Sequence, residues 1–62
     1  MPIFKIKFTT FANEDVVEER PFVSLASALD YIHYRIVESR RHEYYKGVIV
    51  ECNNNGNITH FA

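Results

Sequence analysis

SLASALDYIHYRIVESRRH, residues 24–42, is the stretch whose reading decides the fold. Leu25, Ala28, Leu29, Ile32 and Ile36 recur at the i, i+3, i+4, i+7 and i+11 spacing. At about 3.6 residues per turn they fall in one stripe, so the spacing predicts a helix with an apolar face to be covered. Ser24 stands just before the stripe, where its hydroxyl can accept a hydrogen bond from a first-turn amide as an N-cap. Asp30, Tyr34, Glu38 and Arg41 fall on the opposite side. Glu38 reaches Arg41 at i+3 and His42 at i+4, worth roughly a few tenths of a kcal/mol for each pair. Arg40, Arg41 and His42 bring positive charge to the carbonyl end, where the helix dipole favours it. Glu43, Tyr44 and Tyr45 could continue the helix until Gly47 stops it.

The flanking segments read as strands. In residues 2–10, Phe4, Ile6 and Phe8 alternate with Lys5, Lys7 and Thr9, giving an apolar inward face and a basic outward one. Residues 11–15 are polar enough for a turn, with Asn13 as the turn residue. Residues 15–20 form a second, antiparallel strand, and its paired Val16-Val17 and Glu18-Glu19 predict a bulge or an edge position. Pro21, for want of an amide donor, ends that strand or confines it to an edge. Phe22 or Val23 then packs as a staple against the first helical turns. Residues 47–52 make a third strand and residues 58–61 a fourth, joined by the loop Asn53-Asn54-Asn55-Gly56-Asn57. Two registers are open. A two-residue Asn55-Gly56 turn sets Cys52 opposite Thr59 and Val50 opposite Phe61. A three-residue loop sets Cys52 opposite Ile58 and Val50 opposite His60. Phe61, the better core residue, favours the first.

These elements predict a single α+β domain over residues 1–62, β-β-α-β-β, with one helix packed on a four-stranded antiparallel sheet. The other sheet face would carry Lys5, Lys7, Ile49, Glu51 and Ile3, as a candidate interface or a solvated face.

Sixty-two residues lie near the size at which one core barely suffices, but a chain that is 47% hydrophobic and 15% aromatic can build it without a metal or disulfides. Cys52 stands alone, which excludes an intramolecular disulfide and points to a reducing, cytoplasmic setting. A net charge of −1 argues against both a strongly electrostatic nucleic-acid binder and an acidic DNA mimic. No apolar run is long enough to span a membrane, and no signal-peptide pattern is present. His33, His42, His60 and Cys52 lack any metal-ligand spacing, so no metal is expected. Ser24, Ser27 and Ser39 lie on the helix without a nucleophile elbow, and Gly47 and Gly56 stand apart, so neither acyl transfer nor a phosphate loop is indicated. Glu14-Asp15 and Glu18-Glu19 read as solvated acidic pairs. The expectation is a non-enzymatic protein with no cofactor.

Met1-Pro2-Ile3 opening a strand resembles the start of the small tautomerase family, in which removal of Met exposes Pro2 as the general base. Arg40 or Arg41 would then clamp substrate. That family continues with a helix soon after its first strand, whereas a turn and a second strand intervene here, and Met1 would block the amine.

Binding residues stand out more clearly than catalytic ones. Arg35, Arg40, Arg41, His42 and Lys46 interleave with Tyr44 and Tyr45, a pattern able to neutralise phosphates and stack on bases, or to serve as a solvated helix end. Glu38 and Glu43 interrupt it. Tyr31 and Tyr34 lie one helical turn apart, and the chain has four tyrosines and five phenylalanines, more than one helix-on-sheet layer readily buries. Tyrosine and arginine dominate protein-interface hot spots, so a protein partner or a homodimer is expected ahead of nucleic acid.

Val23-Ser24-Leu25-Ala26-Ser27-Ala28-Leu29, then Gly47-Val48-Ile49-Val50-Glu51, then Asn55-Gly56-Asn57-Ile58 resembles small phage-encoded proteins in which a Ser/Thr-Leu helix precedes a hairpin turned at Asn-Gly. Some type I anti-CRISPR proteins of this size are similar in layout. The resemblance implies a non-enzymatic inhibitor that binds a larger CRISPR surveillance complex and blocks DNA access. No site residue follows from that resemblance; from the basic-aromatic pattern and the open sheet face, the expected binding residues are Lys5, Lys7, Tyr31, Tyr34, Arg35, Arg40, Arg41, Tyr44 and Tyr45.

Overall fold

A computed structural model describes residues 1–38 and 43–61. Among them the chain forms β1 (Ile3–Thr10), β2 (Asp15–Pro21), α1 (Leu25–Glu38), β3 (Tyr44–Asn54) and β4 (Asn57–His60). The strands make one antiparallel sheet in the order β2-β1-β3-β4, so the fold is α+β in the expected β-β-α-β-β order.

Both hairpins close through local polar groups. At the β1–β2 turn, Thr10 Oγ1 accepts from the amides of Ala12 and Glu14 at 3.2 and 3.1 Å. Asn13 takes φ 61°, a left-handed conformation that asparagine tolerates. At the β3–β4 turn, Asn55 and Gly56 take φ 55° and 90°, and Asn53 Oδ1 accepts from the Gly56 amide at 2.9 Å. Two successive positive φ angles fit a two-residue turn twisted in the sense of the strands. The register follows the first alternative: Cys52 pairs with Thr59, and the Phe61 amide donates to the Val50 carbonyl at 3.0 Å.

The β1 alternation holds, and Phe4, Ile6 and Phe8 are buried beneath the helix with Ala28, Ile32 and Ile49. Ile49 is therefore a core residue, not a residue of the open face. The cause is a bulge: β1 pairs Lys5 with Glu51 but Ile6 with Ile49, leaving Val50 as the extra residue. That extra residue reverses the facing of β3, so Cys52 on one side of it and Ile49 on the other both face α1. A second bulge falls at Tyr45, between the Thr9–Lys46 and Thr10–Tyr44 pairs. β2, where a bulge was an alternative to an edge position, is a regularly paired edge strand.

Ser24 caps α1, its hydroxyl accepting from the Ser27 amide at 3.3 Å. Tyr44 and Tyr45 belong to β3, not to a prolonged helix. Extended, they set their rings against Phe8 and Phe11 at centroid distances of 5.2 and 5.3 Å. Arg40, Arg41 and His42, expected at the helix end, lie outside the described residues. Phe22 packs on Phe4 and Tyr31, whereas Val23 is exposed.

The helical stripe is covered only in part. Ala28 and Ile32 are buried and Ile36 is half-buried, but Leu25 and Leu29 remain 45% and 52% exposed. The helix sits low over β3 because Gly47 has no side chain. A Cβ there would meet Ile32 Cγ2 at 2.7 Å and two Phe8 ring carbons at 3.0 Å. Ile32 is β-branched and Phe8 fully buried, so neither yields easily. Gly47→Ala should lower stability by about 1–3 kcal/mol through overpacking, seen as a lower urea midpoint with an unchanged slope.

Candidate functional site

Three surfaces compete as a site, and the sheet register sorts them. On the β2 side, the Ile6–Glu18 pair turns Glu18 toward the helix. Tyr31 and Arg35, at i and i+4 on α1, come down on it. Glu18 Oε1 accepts from Tyr31 Oη at 2.8 Å, from Arg20 Nε at 2.8 Å and from Arg35 Nη1 at 3.0 Å, while Oε2 accepts from Arg35 Nη1 at 2.7 Å. Arg35 Nη1 also donates to Tyr31 Oη. The Arg35 guanidinium lies 5.2 Å from the Phe8 ring centroid, 5.5 Å from Tyr44 and 5.6 Å from Tyr31. Partial burial pushes the Glu18 carboxyl up, but hydrogen bonds from Arg20, Tyr31 and Arg35 and the Arg35 charge outweigh it and hold the pKa below the ordinary 4.5. Burial likewise works against the Arg35 cation, and the Tyr31 and Glu18 contacts more than restore it.

This geometry redistributes the basic-aromatic residues. Tyr31, Arg35 and Tyr44 are drawn together in a half-buried cluster around Glu18 and Phe8, where Arg35 neutralises a carboxylate of its own chain. Tyr34 is exposed on the outer face of α1, and Tyr45 is half-exposed beside Phe11. Sequence reading had no means to find Glu18 as their hub, because its alternation with Arg20 is hidden by the paired Val-Val-Glu-Glu.

The open sheet face carries Lys5 and Lys7, both half-buried. The register places Lys5 between Glu19 and Glu51, Lys7 between Val17 and Val48, and Thr9 between Asp15 and Lys46. Lys5 thus meets opposite charge on both neighbouring strands, while Lys7 lies between two valines, a mixed face of the kind an antiparallel sheet can turn to water.

The third surface lies on the β4 side. At about 100° per residue, Tyr31 and Arg35 fall on one side of the Ala28–Ile32 line and Leu25, Leu29 and Ile36 on the other. Since Tyr31 and Arg35 reach β2, the leucine flank faces β4. Thr59 shares a face with Cys52, which packs against the core, so alternation puts Phe61 on the helix side too. Phe61 is 36% exposed there, and Ile58, on the opposite face, is 51% exposed. Leu25, Leu29 and Phe61 therefore form an apolar border along an edge strand. Asn57–His60 carries no lysine, arginine, carboxylate or proline to discourage pairing. The sequence signal was available: one helix is narrower than four strands.

A shallow cleft at the far end of the β1–β2 hairpin lies among Phe11, Ala12, Val16 and Tyr44, with Glu14 and Glu43 in its lining. Thr10 also lines it, with its hydroxyl accepting from the Ala12 and Glu14 amides of the turn. Among the described residues no three His, Cys, Asp or Glu side chains come together as a metal site, and no helix is long and apolar enough to cross a membrane. No protein-family model, curated protein or solved structure matches the chain.

The lowered Glu18 pKa sets a pH signature. Its stabilisation is complete above about 4.5 and is lost as the pH falls through the depressed native value. Glu18→Gln should cost on the order of 1–3 kcal/mol at neutral pH. In urea titrations the gap between wild type and variant should narrow on acidification below 4.5.

Proposed function

We propose that this chain is a non-enzymatic protein-binding module whose docking surface is its β4 side. The observation that carries the reading is the half-exposed Leu25 and Leu29 standing beside an uncharged edge strand. Apolar side chains left beside free main-chain donors and acceptors suit a protein that adds backbone to the edge and covers the leucines. Nucleic acid suits the molecule less well. Arg35 is committed to Glu18, and Lys5 is flanked by Glu19 and Glu51, so the described cations form no continuous track for phosphates. A tautomerase role for Pro2 is disfavoured by β1 passing directly into an antiparallel partner, with the Pro2 carbonyl bound by the Phe22 amide at 3.1 Å. The sequence pattern shared with type I anti-CRISPR proteins supports a narrower version, in which the module is a phage or mobile-element inhibitor of a larger host complex. The lone Cys52 suits a reducing cytoplasm.

The reading is tested by capture from nuclease-treated host lysate, comparing tagged wild type with a Leu25→Ser, Leu29→Ser variant in cells that also make the untagged chain. Wild type should retain a stoichiometric polypeptide, further copies of this chain included, and the variant should lose it by about tenfold or more. Bands that vanish with nuclease, or that the variant retains in full, would overturn the docking surface.

A further inference from the structure

We propose that the occupant of the β4 side is a second copy of this chain, paired antiparallel through β4 about a two-fold axis normal to the sheet. The inference rests on the reading of that side as a protein-docking surface and names what docks there. Its first support is the hydrogen-bond ladder. Phe61 donates to Val50, and Thr59 is paired with Cys52, so alternation sends the N–H and C=O groups of Ile58 and His60 away from β3. An axis passing at Thr59 sets Ile58 of one copy opposite His60 of the other. Those are the residues whose main-chain groups face outward, and each such pair exchanges both of its bonds. Thr59 then meets Thr59, a cross-strand pairing that stabilises sheets.

The side chains agree with the backbone. A two-fold axis normal to the sheet keeps both helices on one face, with Leu25, Leu29 and Phe61 of the two copies turned toward each other. Each helix lies over its own β3. The two β3 strands would stand three strand spacings apart, about 14 Å, whereas directly packed helices stand at about 8–10 Å. The difference is the room that two Phe61 rings and two leucine flanks fill.

Charge separates this edge from the other. β4 has no formal charge beyond His60, which lies 3.7 Å from Glu51 of its own chain, and the whole chain carries −1. Self-pairing through β2 would instead bring together two strands that each set Asp15, Glu18 and Glu19 against Arg20 alone, and would meet Pro21, which cannot donate.

Sedimentation equilibrium of the purified full chain, over a concentration series, tests the pairing. The weight-average mass should rise toward twice the 7.3 kDa of one chain. His60→Pro removes an outward-facing amide while leaving the inward pairs of β4 intact, and Leu29→Glu charges a half-exposed position that the monomer does not bury. Each should shift the equilibrium to monomer by tenfold or more with an unchanged circular dichroism spectrum. If the proline variant loses its fold, the Leu29→Glu variant still decides. Wild type that stays monomeric throughout would overturn the proposal, as would a dimer that survives both substitutions. A monomer that still captures another protein through Leu25 and Leu29 leaves the docking surface standing and removes the second copy. A monomer with no capture removes both.

Discussion

Ile32 approaches β3 so closely that only a hydrogen atom fits beneath it at Gly47, and the layout of the molecule follows from that approach. It fixes α1 over β3 and the adjoining β1, where Phe8 lies fully buried. A helix with its side chains is about 10 Å across, and the outer strands of a four-stranded sheet lie about 14 Å apart before their own side chains are counted. One helix so placed covers the middle of the sheet and leaves both margins to other devices.

The two margins are treated differently. Toward β2, the helix extends its reach with Tyr31 and Arg35, and Glu18 satisfies both. The contact is polar, and the Arg35 guanidinium doubles as an aromatic-stacked lid over Phe8. β2 itself bears carboxylates and a proline, so its outer edge resists further pairing. Toward β4 nothing comparable is present among the described residues. The leucines stop short, and the strand offers Asn, Ile, Thr and His. One edge thus carries carboxylates and a proline, whereas the other carries no formal charge beyond His60 and stands beside exposed leucines.

Much of this architecture was legible in residue order. The apolar spacing of α1, the alternation of β1, the capping Ser24, and the Asn-Gly turn each report a local requirement that a short segment states by itself. The hairpin register followed from the positive φ angles that Asn55 and Gly56 accept. What was hidden depended on partners far along the chain. Val50 is extra only relative to β1, so no reading of β3 alone could move Ile49 from the open face into the core. Tyr44 and Tyr45 have helical spacing from Arg41, and it is the Phe8 and Phe11 rings, some 36 and 34 residues away, that draw them into a strand. The surroundings of the candidate site residues depend on the same long-range packing. An apolar stripe calls for cover, yet coverage depends on how wide a sheet one helix can shade, and Leu25 and Leu29 stay half-exposed. The same packing makes Arg35, conspicuous in the sequence as a cation, a half-buried partner of Glu18.

The pairing of the central strands bears on how the chain reaches this state. β1 with β2, and β3 with β4, are hairpins of neighbouring segments, each closed by its own short turn, and such units form on the microsecond scale. β1 with β3 instead joins residues 3–10 to residues 44–53, across the whole of β2 and α1. Closing that loop costs chain entropy before the core repays it. The bulge at Val50 makes the step more selective still, since a ladder slipped by one residue would turn Ile49 outward and lift Gly47 from beneath Ile32. Two local hairpins and one long-range central pairing are thus built into the strand order, and the long-range pairing is also the one that creates the core.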